Sequence, residues 1–153
     1  AIDAVVMRNL STINDLLKDY ADSNALAKDV VIACGVNGID DYKSVINKII
    51  KNLPKGHHII FVTPYNGSKS GNEAQSLLQL RKYELEMAKK YDFVTVADWY
   101  QVAKENISIW NGTDGVHFGS DSDSINRGAK LYTKTIKEAI EKADKAPVKG
   151  GKK

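Results

Sequence analysis

Three short apolar runs that do not alternate constrain this chain most. Val30, Val31, Ile32, Ala33 and Cys34 end at Gly35; Ile59, Ile60, Phe61 and Val62 end at Pro64 and Gly67; Phe93, Val94, Val96 and Ala97 end near Asp98. A strand with one wet face alternates, so unbroken runs of this length suit strands covered on both faces, as in a parallel sheet. Ile2 to Val6 reads as a further strand. Between the runs lie segments of helical period: Ile13, Leu16, Leu17 and Tyr20; Tyr42, Val45, Ile46, Ile49, Ile50 and Leu53; Ala74, Leu77, Leu78, Leu85 and Ala88. A last amphipathic helix, with Ala129, Tyr132, Ile136, Ala139 and Ile140, is expected to open after Gly128. Strands that alternate with helices in this order specify an α/β fold, an open three-layer α/β/α sheet with parallel strands and right-handed crossovers.

Composition narrows the partners. A chain of 153 residues with 42% hydrophobic and 27% charged residues suits one globular domain. The net charge of +3 is unevenly placed: Lys142 to Lys153 holds five lysines and one aspartate, which leaves 17 basic against 18 acidic residues in the rest. A nearly neutral body gives no basic face for nucleic acid. The expected organisation is one domain over residues 1–141 and a flexible, Lys-rich tail over residues 142–153, rich in Ala, Pro and Gly. The single cysteine, Cys34, excludes an internal disulfide, and the three histidines make a poor set for a structural metal. No cofactor is expected.

In such sheets ligands bind beyond the carboxyl ends of the strands. The segments that matter there are Gly35 to Asp40, Thr63 to Gly71, Asp98 to Gln101 and the loop from Trp110 to Gly128. Asp114-Gly115-Val116-His117 has a spacing that lets a carboxylate fold back onto the histidine Nδ1, fixing the tautomer and leaving Nε2 to take a proton from a nucleophile. The spacing alone equally suits a surface turn. Gly35-Val36-Asn37-Gly38 follows a buried run, and an asparagine amide there can donate to a developing oxyanion; a plain turn capped by Asn37 is the alternative. The stretch fits neither a Walker loop nor a dinucleotide fingerprint. Gly119 to Ser124 lacks the ligand spacing of a calcium loop and reads as solvated. Tyr65, Trp99, Tyr100 and Trp110 fall near the strand ends, where rings cap a core or wall a carbohydrate or acyl pocket.

Taken in order, Ile2-Asp3-Ala4-Val5-Val6 with Arg8, the Gly-Val-Asn-Gly block, Val62-Thr63-Pro64-Tyr65, Asp98-Trp99-Tyr100 and Asp114-Gly115-Val116-His117 resemble the SGNH/GDSL hydrolase superfamily. More narrowly they resemble the extracellular domain of O-acetyltransferase A type peptidoglycan O-acetyltransferases of Gram-positive bacteria. The resemblance spans about Ile2 to Ile140 and implies a flavodoxin-like three-layer fold. It implies His117 as general base, Asp114 as its orienting acid, and Asn37 in the oxyanion hole with Gly35 shaping the turn. It also implies a serine acyl-enzyme that passes acetyl to the C6 hydroxyl of N-acetylmuramic acid. The implied partners are the peptidoglycan glycan, an acetyl donor and an N-terminal membrane acyltransferase domain that tethers this one at the cell surface.

The family carries its serine in a Gly-Asp-Ser block, and no such triplet occurs in this chain. The nucleophile is therefore expected in a segment upstream of Ala1 that also brings a first strand and helix, and the chain alone is expected to be inactive. Ser120 and Ser122 follow the histidine and are poor substitutes. The competing readings are a carbohydrate or lipid acetylesterase, which uses the same residues with water as acceptor, and a glycan-binding module that lacks the nucleophile. A phosphate-binding flavodoxin-like domain is disfavoured because the first loop lacks the Gly, Ser and Thr it needs.

Overall fold

The computed structural model describes residues 12–35, 41–110, 115, 118–119 and 121–151. Their elements run α1 (Ile13–Asp22), β1 (Asp29–Ile32), α2 (Tyr42–Asn52), β2 (His58–Val62), α3 (Gly71–Lys90), β3 (Val94–Ala97), α4 (Trp99–Glu105), a 3-10 turn (Ile107–Trp110) and α5 (Ser122–Asp144). The strands form a parallel sheet in the order β1-β2-β3, with Asp29 opposite His58 and Ile59 opposite Val94. The three-layer parallel α/β architecture is thus as the apolar runs predict. The strand expected over Ile2 to Val6 lies outside the described residues.

The sheet explains why its central run is unbroken. β2 is buried at every position, because alternate side chains enter different cores. Ile59 and Phe61 join Leu17, Ile46, Ile49, Leu53 and Leu80 on the face covered by α1, α2 and α3. Ile60 and Val62 join Trp99, Ala103, Trp110, Ala139 and Ala143 on the face covered by α4 and α5.

Several details depart from the sequence reading. α3 buries Leu77, Leu80, Glu84 and Met87, so its inner face is rotated from the expected Leu78–Leu85 line and includes a carboxyl group. α5 begins at Ser122, earlier than expected. Asp121 caps it by accepting from Ser124 N at 2.8 Å, so the polar Asp-Ser-Asp-Ser stretch is a helix start and not a free loop. Gly128 lies inside the helix, where a Cβ would stand 2.4 Å from the Phe118 ring. It is a packing glycine and not a helix opener.

The flexible tail expected from Lys142 is not what residues 142–151 form. α5 continues to Asp144, and the chain beyond turns back onto the sheet's amino-terminal end. Lys149 N donates to His57 O at 2.9 Å and Gly56 N donates to Lys149 O at 2.8 Å. The Lys149 ammonium donates to the carbonyls of Ile50, Lys51 and Leu53 at the end of α2, satisfying acceptors a helix end leaves open. Composition hid this, because a lysine that caps a helix and a lysine in solvent are the same letter.

Candidate active site

The carboxyl ends of the strands carry a connected polar network. Thr63, just past β2, is buried and donates from Oγ1 to Asp98 Oδ1 at 2.8 Å. The same hydroxyl accepts from Tyr100 N at 2.9 Å, so a side chain of the neighbouring strand end satisfies an open N–H in the first turn of α4. Arg81 of α3 closes on the Asp98 carboxylate with Nε at 2.9 Å and Nη2 at 2.6 Å, and its guanidinium lies 5.4 Å from the Tyr100 ring centre. Burial pushes the Asp98 carboxyl up, but the Arg81 and Thr63 hydrogen bonds and the Arg81 charge outweigh it and hold the group below its ordinary value.

Beside this network lies a cavity of about 260 Å3 lined by Cys34, Thr63, Tyr65, Trp99, Trp110 and Tyr132, among others. Its aromatic wall is packed ring on ring: Tyr65 stacks on Trp110 at 5.2 Å, and Trp99 meets Tyr132 edge-on at 4.9 Å. Trp99 and Trp110 are buried, so the rings both cap the second core and wall the cavity. Burial raises the Tyr65 and Tyr132 hydroxyls, which keeps both neutral near pH 7. Cys34, expected inside the strand, sits past its end on the cavity wall, half-buried.

Gly35 is in the left-handed region with φ +102°, and a Cβ there would lie 2.7 Å from Leu80 Cδ2. Only glycine lets the chain leave β1 this way. Asn37, Asp114 and His117 lie outside the described residues. Their described neighbours are held firmly. Gly115 O accepts from Gly67 N at 2.9 Å, and a Cβ on Gly115 would stand 2.7 Å from Gly67 Cα. Phe118 tilts against Trp110 at 5.4 Å, and Gly119 N donates to Ile109 O at 2.7 Å.

Sequence reasoning picked out Asp98 by its place and missed Arg81 and Glu84. Both lie on a helix read only for its apolar period. Glu84 is 2% exposed, and its Oε1 has no hydrogen-bond partner among the described residues. Burial first, and the Asp98 charge second, raise its carboxyl well above the ordinary value, which favours the protonated form.

No protein-family profile matches the chain. It is 27% identical over 139 residues to the Bacillus subtilis (strain 168) protein YrhL, which carries a provisional assignment as a peptidoglycan O-acetyltransferase; the match covers 91% of this chain and 20% of that protein. The chain therefore spans about a fifth of the length of this curated relative. Among solved structures, the C-terminal catalytic domain of Streptococcus pneumoniae peptidoglycan O-acetyltransferase A (OatA), determined with a methylsulfonyl adduct, is 46% identical, with a TM-score of 0.88 over 93% of this chain and 79% of that one. With identity and coverage at that level, the chain belongs to the SGNH-type family of the OatA C-terminal catalytic domain.

Proposed function

We propose that this chain is the greater part of an extracellular SGNH domain that O-acetylates peptidoglycan. The observation that carries the proposal is the 46% identity, at a TM-score of 0.88, to an OatA catalytic domain. In this reading His117 is the general base, Asp114 its orienting acid, Asn37 the oxyanion-hole amide, and Gly35 the turn that aims it. The nucleophile is a serine outside these 153 residues, which contain no Gly-Asp-Ser triplet.

The chemistry runs in two halves. His117 Nε2 takes the serine proton as Oγ attacks the acetyl carbonyl. The oxyanion is held by the Asn37 amide and a backbone N–H, and collapse expels the donor's leaving group, which regains the proton from His117. The C6 hydroxyl of N-acetylmuramic acid then gives its proton to His117 as it attacks the acetyl-serine, and the serine leaves protonated. The aromatic wall of Tyr65, Trp99 and Trp110 lies where an acyl group or sugar face would rest. The full-length protein is tethered through a membrane domain; among the described residues no helix is long and apolar enough to cross a bilayer.

The test is acetyl transfer by the full-length protein to a muroglycan acceptor. His117→Ala is expected to remove turnover with the circular dichroism spectrum and melting temperature unchanged, and Asp114→Asn to lower it by orders of magnitude. Undiminished transfer in His117→Ala would reject the assignment, and release of acetate without transfer would make the enzyme an esterase.

A further inference from the structure

The amino-terminal ends of the strands, opposite the candidate active site, gather three groups from distant parts of the chain. Asp29 opens β1, His58 opens β2 as its registered partner, and Asp144 ends α5. A nitrogen of His58 and a carboxylate oxygen of each aspartate lie within 4.8 Å of one another. We propose that Asp29, His58 and Asp144 bind a divalent cation of the zinc class, which would tie the end of α5 to the sheet.

The histidine geometry supports this. His58 is 1% exposed, and its Nε2 lies 2.8 Å from Ala146 O. A carbonyl only accepts, so Nε2 carries a proton and Nδ1 is the atom turned toward the carboxylates. Metal-bound histidines are commonly held this way, the far N–H fixed on a carbonyl so that the near lone pair is aimed. Here the carbonyl comes from two residues beyond Asp144, so one segment supplies both a ligand and the lock on the ring.

His58 Nδ1 lies 2.7 Å from Asp29 Oδ1, a contact bridged by a proton in the metal-free protein. A cation replaces that proton. Zinc takes nitrogen at about 2.0–2.1 Å and carboxylate oxygen at about 2.0–2.2 Å, so a tetrahedral site needs donors roughly 3.3 Å apart; the His58–Asp29 pair at 2.7 Å opens slightly, and the remaining donors already lie within 4.8 Å. One imidazole and two carboxylates suit zinc, with water completing the shell on the exposed Asp144 side.

This departs from the sequence expectation that the histidines make no metal site. The ligands stand at 29, 58 and 144, with no local spacing to read, and His58 is buried at the start of β2. Titration calorimetry of the full chain with Zn2+, in buffers of different ionisation enthalpy, tests the proposal. Wild type is expected to take up one equivalent that Asp144→Asn binds at least about tenfold more weakly, with protons released on binding. Asp29→Asn should repeat the loss. His57→Gln, at the adjacent ring that bonds Ala27 O, should leave the binding unchanged. Zinc uptake that is absent, or equal in wild type and in both aspartate variants, would reduce the cluster to an ion pair and overturn the site.

Discussion

Arg81 grips Asp98 with both arms of its guanidinium while Glu84, one turn further along α3, lies buried with an oxygen unpaired among the described residues. Two acids at one helix–sheet boundary are thus driven in opposite directions, one lowered by a cation and the other raised by burial.

Removal of the Asp98 charge should therefore cost stability in a pH-dependent way. Its folded value lies below the unfolded one, so its contribution is present above about pH 4 and fades as pH falls through the folded value. Asp98→Asn is expected to lose about 1–3 kcal/mol at pH 7, lowering the melting temperature by several degrees. The gap to wild type should close on acidification. A constant gap from pH 7 to pH 3 in thermal melts would show that packing, not charge, sets the cost.

Glu84 predicts the reverse. Its folded value is raised, so the folded state holds a proton the unfolded chain gives up above about pH 4.3, and each further pH unit costs about 1.4 kcal/mol until the folded group ionises. Glu84→Gln keeps the shape without the proton. It should match wild type near pH 4 and become more stable than wild type as pH rises toward neutrality. Equal denaturation midpoints at pH 4 and pH 7 would mean the buried carboxyl finds a partner in the folded protein.

The residues 142–151 supply a third test. Lys149 is partly exposed, so solvent screens its charge, yet its three carbonyl acceptors all belong to the end of α2. Lys149→Met should lower stability by about 1–2 kcal/mol, while Lys145→Met, at an exposed position past α5, should change little. If urea midpoints of the two variants coincide, the expectation of a passive tail is restored.

What the sequence disclosed follows from the kind of physics involved. The sheet was legible because a strand covered on both faces must be apolar at every position, and Ile59 to Val62 is. The turn at Gly35 was legible in the same sense, since glycine after a buried strand signals a backbone that others cannot adopt. Arg81, Glu84, His58 and Lys149 were not legible. Arg81 draws its character from Asp98, His58 from Asp29 and Ala146, and Lys149 from the α2 carbonyls, each distant in sequence, while Glu84 owes its raised carboxyl first to burial. Periodicity finds which face of a helix is inward, yet it has no term for a charged residue that is inward because a partner waits there. The Asp114 and His117 pair was singled out by spacing and by resemblance, and both residues fall outside those described.

The glycine contact between the two site loops gives a test at a described position. Gly115 lies at φ +78°, and the atoms a Cβ would strike belong to the Gly67 backbone, at 2.7 Å from Cα and 2.9 Å from C. Backbone cannot rotate away as a side chain can, so Gly115→Ala must move one loop against the other. Gly115 lies between Asp114 and His117 in the chain, and a shift of even one ångström in a catalytic group costs about a hundredfold in rate. Gly115→Ala is expected to lower kcat in the full-length enzyme by about ten- to a hundredfold. Gly56→Ala separates strain from position: φ there is +91°, but a Cβ meets nothing within 4 Å, and the residue lies at the opposite end of β2. It should cost roughly 1–2 kcal/mol of stability with kcat intact. If Gly115→Ala turns over acetyl as fast as wild type, the Gly67 contact does not position the proposed base, and the loop is aligned by its other anchors at Phe118 and Gly119.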